Sequence, residues 1–263
     1  MNAIILLGIG WLAAAVMMGL LWLVQRARRD ATVVDVGWTF RFGLIAVLCA
    51  ALAPGEPDRR LLVGALSAAW SLRLGLHLLV TRVLGHPAED GRYQTLRAKW
   101  GDRAQFRFFL FFQAQALLAA LFAGAPLLAM LRPGPFPSFL DLAGVAVALA
   151  AILGEGTADR QLAAFRADPA NRGRTCRAGM WRYSRHPNYF FEWLHWWAYV
   201  LIAAGGPWWV LTLLAPALML FFLLRVTGIP ATEAQALASR GEDYREYQRT
   251  TSAFIPWFPR KSA

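Results

Sequence analysis

The apolar stretch from residue 187 to residue 205 carries polar side chains that could do chemistry. They recur every three or four residues, as Asn188, Glu192, His195 and Tyr199. This spacing places side chains on one face of an α-helix, and Pro187 suits the first turn of such a helix. Because ionisable groups inside a membrane helix are costly, they usually mark a functional site. We therefore expect a site on this face, with Glu192 as a catalytic candidate.

A second polar face is predicted where Asp35, Trp38 and Arg41 follow one another at helical spacing. Further along the chain, Arg73 lies half-way through another apolar span, where a charge is costly unless it is paired or hydrated. We expect Arg73 to face the interior of a helix bundle. Its candidate partners are Asp35, Glu155 and Glu192. Asp35 and Arg73 are thus candidates for polarising a bound substrate.

The elements that must position these residues are apolar runs near the length of a membrane-spanning helix. Of the 263 residues, 57% are hydrophobic. We predict an all-α integral membrane protein, a single transmembrane domain over residues 1–263, with seven spans and a tail at 226–263. The predicted spans are 3–24, 38–54, 61–82, 106–131, 138–158, 187–205 and 207–225.

The formal charge of +11 follows the loops between the spans. With the first loop in the cytoplasm, 22 of the 27 lysines and arginines fall in cytoplasmic loops and in the tail. We therefore expect an external amino terminus and a cytoplasmic carboxyl terminus, in the inner membrane if the cell is bacterial. Membrane topology accounts for the charge better than nucleic-acid binding does. The two cysteines, Cys49 and Cys176, indicate no disulfide framework.

The clustering of basic residues also predicts that the protein binds a polyanionic cofactor. The cytoplasmic ends of the last three spans gather basic and polar residues: Arg166, Arg174, Arg182, Arg185 and Arg225 beside Asp159, Asn188 and Tyr189. Guanidinium groups bind phosphates bidentately, and a carboxylate can hold ribose hydroxyls. A cofactor with a diphosphate would fit this set. The alternative is charge that only fixes topology or attracts anionic lipid.

The sequence gives less support to a metal site or to a nucleophilic catalytic residue. Glu192 and His195 have the E-x-x-H spacing of a di-iron ligand pair, but the sequence lacks a second pair and has four histidines in all. A serine or cysteine nucleophile with a partnered base is not visible either. We expect no metal site.

The motifs together resemble the bacterial branch of the steroid 5-alpha-reductase family. The similarity lies in VDVGW, the WSLR segment with Arg73, DGRY, ADRQL, RHPNYFFEW and GEDYREYQRTTSAFIP, and it covers most of the chain. The resemblance implies a seven-helix membrane enzyme that binds NADPH on the cytoplasmic side. It also implies hydride delivery to the β-carbon of a lipid enone, such as a 3-oxo-4-ene steroid.

The resemblance assigns roles by position. Residues matching those that hold NADPH are Asp159, Arg166, Arg174, Asn188 and Arg225, with Arg92 and Tyr189 as companions. Arg185 and His186, within the same RHPNY motif, join the predicted cofactor site. Glu192 would orient the carboxamide of the nicotinamide or the substrate.

The proton donor departs from the family pattern. A glutamate and a tyrosine flank the substrate carbonyl in the steroid enzymes; here Asp35 and Trp70 stand in the corresponding regions. Because tryptophan supplies no titrating proton, another group such as Tyr93 must take over, or the chemistry differs. The run Gly91-Arg92-Tyr93 predicts a turn in a solvated loop.

Two other functions compete with the NADPH-dependent reductase that we favour. R-H-P-x-Y followed by a distant acidic tail also resembles the isoprenylcysteine and phospholipid methyltransferases, which bind S-adenosylmethionine. That cofactor carries no phosphate, so the arginines favour NADPH. A non-enzymatic lipid-binding protein would explain the polar faces less economically. In the favoured interpretation, the lipid enters from the bilayer into a pocket lined by spans one to four.

Overall fold

The computed structural model describes residues 2–85 and 88–260, and every regular element within them is helical. Lys261, which the topology assigns to the cytoplasmic tail, lies outside the described residues. The principal helices are α1 Ala3–Arg28, α2 Val33–Leu52, α3 Pro57–Leu78, α4 Gly91–Trp100, α5 Ala104–Met130, α6 Phe139–Ala167, α7 Pro187–Ala203, α8 Leu214–Phe221, α9 Ile229–Arg240 and α10 Glu242–Thr250.

Six helical stretches of the described chain are long and apolar enough to cross a membrane. They are Ala3–Arg28, Val33–Leu52, Pro57–Leu84, Gly91–Met130, Phe139–Ala167 and Trp209–Arg240. They confirm the prediction of an all-α, multi-pass membrane protein. The helix predicted at 187–205 also forms, but its 17 residues are at the lower limit for a complete crossing.

The described chain divides into two compact units. Unit 1 comprises the residues up to Leu142 together with Tyr199–Thr212, and unit 2 comprises Ala143–Ala198 and the residues from Leu213 onward. The candidate residues are divided between them: Asp35, Arg73, Arg92 and Tyr93 belong to unit 1, and the other predicted site residues belong to unit 2.

Close helix packing in unit 1 depends on small residues between α2 and α3. A Cβ added to Gly43 would lie 2.3 Å from Oγ of Ser71, and one added to Gly64 would lie 2.7 Å from Cβ of Ala50. The Ser71 hydroxyl donates to the carbonyl of Thr39 at 2.7 Å. Small residues let helix backbones approach within the bilayer, where no hydrophobic effect drives association between helices. This contact fixes the register of α2, which carries Asp35.

A buried ion network anchors the beginning of α3 in unit 1. Arg59 is fully buried, and its Nε donates to Oδ1 of Asp141 at 2.9 Å. Its Nη1 donates to the carbonyl of Arg132 at 2.6 Å, and its Nη2 donates to the carbonyl of Pro135 at 2.7 Å. Arg132 adds a second ion pair to Asp141 at 2.7 Å. Each charge therefore has hydrogen-bonded partners, as burial requires.

The carboxyl-terminal tail folds onto the segment before α7 in unit 2. The Ser184 hydroxyl donates to the carbonyl of Phe254 at 2.8 Å, and the amide of Trp257 donates to the carbonyl of Tyr183 at 2.9 Å. The tail forms two helices, α9 and α10, separated by Gly241, which has a φ of +55°. Glycine adopts that conformation without a steric penalty.

Candidate functional site

The clearest constellation of predicted residues surrounds Asp35 at the beginning of α2. The hydroxyl of Tyr93 donates to Oδ1 of Asp35 at 2.5 Å. Arg92 Nη2 donates to Oδ2 at 2.7 Å, and Arg82 Nη1 donates to the same oxygen at 3.1 Å. We call these four residues the Asp35 cluster. The structure thus brings Asp35, Arg92 and Tyr93 together from widely separated parts of the sequence.

Capping interactions explain why the chain folds this way locally. The Asp90 carboxylate accepts from the amide of Arg92 at 2.9 Å and so caps α4. The amide of Asp90 donates to the Thr32 hydroxyl at 2.9 Å, and the amide of Ala31 donates to Glu89 at 2.8 Å. These bonds fasten the beginning of α4 to the beginning of α2. Side-chain oxygens at a helix amino terminus satisfy amides that have no partner within the helix.

Tyr93 corrects the sequence-based prediction for its segment. The run Gly91-Arg92-Tyr93 is not a solvated turn but the first turn of α4, and the Tyr93 side chain is buried. The ring packs near Phe111, with centroids 6.3 Å apart. A capping aspartate directly before the glycine was the signal that could have predicted a helix here.

Asp90, next to the Asp35 cluster, balances the cluster's second arginine. Asp35 and Asp90 face the guanidinium groups of Arg82 and Arg92. Burial raises the pKa of the Asp90 carboxyl, but the hydrogen bonds and charge of Arg92 outweigh it and hold the pKa below its usual value. Both acids thus form ion pairs with arginines. Tyr93 is the cluster's neutral, proton-bearing group.

Trp70 and Arg73 lie on α3 in the same unit. The indole of Trp70 is fully buried and meets the Phe42 ring edge-on, with centroids 5.2 Å apart. Arg73 is half-buried, and its orientation toward the bundle interior stays a prediction. The ion pairs of Asp35 are made with Arg82 and Arg92, so the predicted joint action of Asp35 and Arg73 stays a prediction.

Arg41 has the most unusual environment in unit 1, and the sequence did not single it out as a site residue. Its side chain is fully buried, and its guanidinium lies 4.8 Å from the centre of the Trp38 ring. Within residues 2–85 and 88–260, Nε, Nη1 and Nη2 of Arg41 have no hydrogen-bond partner. Trp38 and Arg41 lie on one helix, α2, as their spacing predicts, but the Arg41 side chain does not extend toward water as a snorkelling arginine would.

In unit 2, the beginning of α7 holds several predicted cofactor ligands. The Asn188 carboxamide donates to Oδ1 of Asp159 on α6 at 3.2 Å. The Tyr189 ring stacks on the His186 imidazole, with centroids 5.3 Å apart, and its hydroxyl lies 3.1 Å from that of Thr232. The structure therefore brings Asp159 and Asn188 together, as a site for a polar ligand requires.

Arg185 and His186 contact the tail through Glu233, a residue that the sequence did not single out. Arg185 Nε donates to Glu233 Oε1 at 2.7 Å, and Arg185 Nη1 donates to the carbonyls of Gln248 and Thr251. His186 Nε2 lies 3.2 Å from the same Glu233 oxygen. Burial lowers the pKa of His186, although the nearby carboxylate opposes this effect. These contacts give both residues a role in holding the tail; phosphate binding by either stays a prediction.

Three other predicted ligands are exposed arginines: Arg166 at the end of α6, Arg174 in the following loop and Arg225 after α8. Arg174 and Arg225 make no ion pair with any side chain that the structure describes. Their guanidinium groups can therefore meet an anion from solution.

The polar face predicted for α7 is confirmed by burial. Glu192 and His195 are buried in unit 2, and Tyr199, in unit 1, shares a hydrogen bond of 2.8 Å with the Ser67 hydroxyl. Gly154 on α6 leaves room for the Phe191 ring: a Cβ there would lie 2.4 Å from it. The part of the chain that the structure describes has no group of three or more His, Cys, Asp or Glu side chains that could hold a metal ion.

Comparison with known proteins places the chain in a family. The model of the family described as "Protein of unknown function (DUF1295)" matches residues 21–251, which include every predicted site residue. No curated protein and no solved structure is matched by the chain.

Proposed function

We propose that this chain, which belongs to the DUF1295 family, is a membrane-embedded, NADPH-dependent reductase of an activated carbon–carbon double bond in a lipid. The observation that carries the proposal is the hydrogen bond from Tyr93 to Asp35. This bond pairs a tyrosine with a carboxylate, although tryptophan stands at position 70, where the resemblance places the tyrosine. The resemblance of RHPNYFFEW and the other motifs to the steroid 5-alpha-reductases supports the same chemistry.

The Asp35 cluster suits the proton-transfer half of such a reaction. Hydride addition to the β-carbon of an enone moves an electron pair onto the carbonyl oxygen, and the resulting enolate must be protonated. Tyr93 can supply that proton when its O–H turns from Asp35 to the substrate, and the charge of Arg92 would stabilise the phenolate until solvent returns a proton. Asp35 holds the hydroxyl in place before the reaction. Side chains that act as acids or bases are commonly held in position by a hydrogen bond to a neighbouring residue.

The polar residues of unit 2 suit the chemistry of the cofactor. Guanidinium groups at Arg166, Arg174 and Arg225 can bind a diphosphate or a 2′-phosphate, because they are exposed and always charged. Asp159, held by Asn188, presents a carboxylate suited to ribose hydroxyls. NADPH would supply the hydride when bound. We propose that it binds from the cytoplasmic side, as the predicted topology implies.

Ligand binding to the purified protein tests the cofactor assignment. A ligand that binds the folded state raises its apparent stability by an amount set by its concentration relative to Kd. We expect NADPH to raise the Tm and Arg174→Ala to abolish the shift. Arg172→Ala is the matched control, because Arg172 is an exposed neighbour in the same loop with no assigned role. Equal loss in both variants, or no shift with NADPH, would overturn the assignment.

Methyl transfer from S-adenosylmethionine is the second candidate, and one observation favours it. The RHPNY motif and the acidic tail, which together resemble the membrane methyltransferases, are bonded to each other through Arg185 and Glu233. The Tyr244 hydroxyl also approaches Glu233, at 3.4 Å. Stabilisation by S-adenosylmethionine and not by NADPH would select this function.

A further inference from the structure

The buried guanidinium of Arg41 is the strongest unexplained feature of unit 1. All three of its nitrogens are buried, and in the described parts of the chain none has a hydrogen-bond partner. Its nearest stabilising contact is the face of Trp38, and Trp38 in turn meets the Phe122 ring edge-on, with centroids 5.5 Å apart. Arg41 is thus in contact with an aromatic ring, and its nitrogens form no hydrogen bond within the described residues.

Arg59 shows how the same chain satisfies a guanidinium that is buried to the same extent. Both side chains have an exposed fraction of 0%. Arg59 has an ion pair with Asp141 and donates to backbone carbonyls from Nη1 and Nη2. Arg41 has neither kind of partner. The lack of hydrogen-bond partners for Nε, Nη1 and Nη2 together therefore distinguishes Arg41 from Arg59.

The charge and the hydrogen-bond donors of Arg41 restrict which kind of ligand could bind to it. A guanidinium remains protonated in proteins, so it cannot lower its cost by becoming neutral. A cation over an aromatic face gains some stabilisation but keeps its unmet hydrogen-bond donors. An oxygen anion would neutralise the charge and accept from two nitrogens at once. A carboxylate fits best, because a phosphate would bring more charge into an apolar environment.

We infer that Arg41 is the anchor for the carboxylate of an apolar, long-chain molecule that binds within unit 1. The fork of Arg41 would hold the carboxylate, and the aromatic groups of Trp38 and Phe122 would contact hydrocarbon. The inference does not rest on the proposed reductase, because it concerns binding alone and is tested without NADPH.

Oleate and oleyl alcohol are the probes, since they share a hydrocarbon chain and differ in the carboxylate. Binding is measured by calorimetry on the full chain in an uncharged detergent, with both probes dissolved in the detergent at the same mole fraction. We expect oleate to bind and oleyl alcohol to bind much more weakly. In Arg41→Gln the Kd for oleate should rise by about tenfold or more, because a buried bidentate contact to the anion is lost. Arg103→Gln, at an exposed arginine of the same unit, should leave the Kd unchanged.

The result that overturns the inference is equal binding of the two probes to the wild-type protein, or an oleate Kd that is the same in Arg41→Gln. The first comparison needs no variant, so it decides the matter even if Arg41→Gln does not fold. Arg41→Met provides a second variant, since an apolar side chain of similar volume often maintains stability where a buried charge is removed. It too should lose oleate binding.

Discussion

The hydroxyl of Tyr93 lies 2.5 Å from a carboxylate oxygen of Asp35, although 58 residues separate them in sequence. Arg92, the neighbour of Tyr93, binds the other oxygen of the same carboxylate at 2.7 Å. The short helix α4 therefore places both a proton donor, Tyr93, and a cation, Arg92, next to Asp35. In the proposed mechanism this pair supplies the tyrosine for acid catalysis, while Trp70 stands at the position that the resemblance to the steroid 5-alpha-reductases assigns to tyrosine.

Replacing Tyr93 with phenylalanine should remove the proposed proton donor and retain the ring. We expect Tyr93→Phe to lower kcat for enone reduction by about 10² to 10⁴, the usual contribution of a positioned acid. Its Tm should change little, because the ring contact with Phe111 stays. Initial rates of NADPH oxidation with a reducible lipid measure this effect. Unchanged kcat in a folded Tyr93→Phe protein would remove Tyr93 from the mechanism.

The buried network around Asp141 should matter far more for stability than an exposed ion pair does. Asp141→Ala leaves the buried Arg59 unpaired, which should cost about 3–5 kcal/mol. Glu242→Ala breaks an exposed pair with Arg245 and should cost at most about 0.5 kcal/mol. Thermal unfolding in the same detergent compares the two variants. Similar Tm values for both would mean that the network contributes little to unit 1.

His186 should make the stability of the protein depend on pH. Its pKa is lowered in the folded protein, mainly by burial, with Glu233 opposing and Arg185 reinforcing the shift. Between the two pKa values, the unfolded chain binds more protons than the folded protein does. The contribution of neutral His186 to the free energy of unfolding is therefore complete above about pH 6.5, the unperturbed pKa, and is lost as the pH falls through the lower pKa of the folded protein. Comparing Tm between pH 8 and pH 5 in the wild-type protein and in His186→Gln isolates it. We expect a steeper decline in the wild-type protein; parallel curves would contradict the assignment.

Contact between α2 and α3 should be sensitive to a single methyl group. Gly43→Ala places a Cβ against Ser71, whose Oγ lies 2.3 Å from the new position, and overpacking of this kind costs about 1–3 kcal/mol. Ser71→Gly in the same chain removes both atoms that clash and should recover part of the loss. Gly8→Ala is the matched control, because nothing lies within 4 Å of a Cβ at that position. A Tm loss in Gly8→Ala equal to that in Gly43→Ala would show that the contact is not responsible.

Much of the fold could be predicted from the sequence because lipid restricts the choices. Apolar runs of sufficient length must become helices there, since each backbone donor and acceptor needs an internal partner. The polar residues of α7 were predictable for the same reason: Glu192 and His195 avoid lipid and are buried. The ends of helices were less predictable, because α1 and α6 continue into polar sequence as far as Arg28 and Ala167.

Long-range partners were the part that sequence patterns could not supply. The pairing of Arg59 with Asp141 joins residues 82 positions apart, and neither periodicity nor composition encodes it. Glu233 was missed because its polar helix resembles any solvated tail until it contacts Arg185. Arg41 was predicted to lie on a polar face with Trp38, but the lack of acceptors around it is a property of the packed helices alone.

The most direct test of the proposed function follows hydrogen from the cofactor into a lipid. Purified protein would be incubated with NADPH deuterated at the transferable position of the nicotinamide and with a panel of steroid, fatty-acyl, isoprenoid and quinone-like enones. The account predicts a saturated product that carries deuterium at the β-carbon and that forms at least about 10²-fold more slowly with the Tyr93→Phe protein. A folded protein that binds NADPH but leaves every enone unchanged, or whose product lacks deuterium, would contradict it.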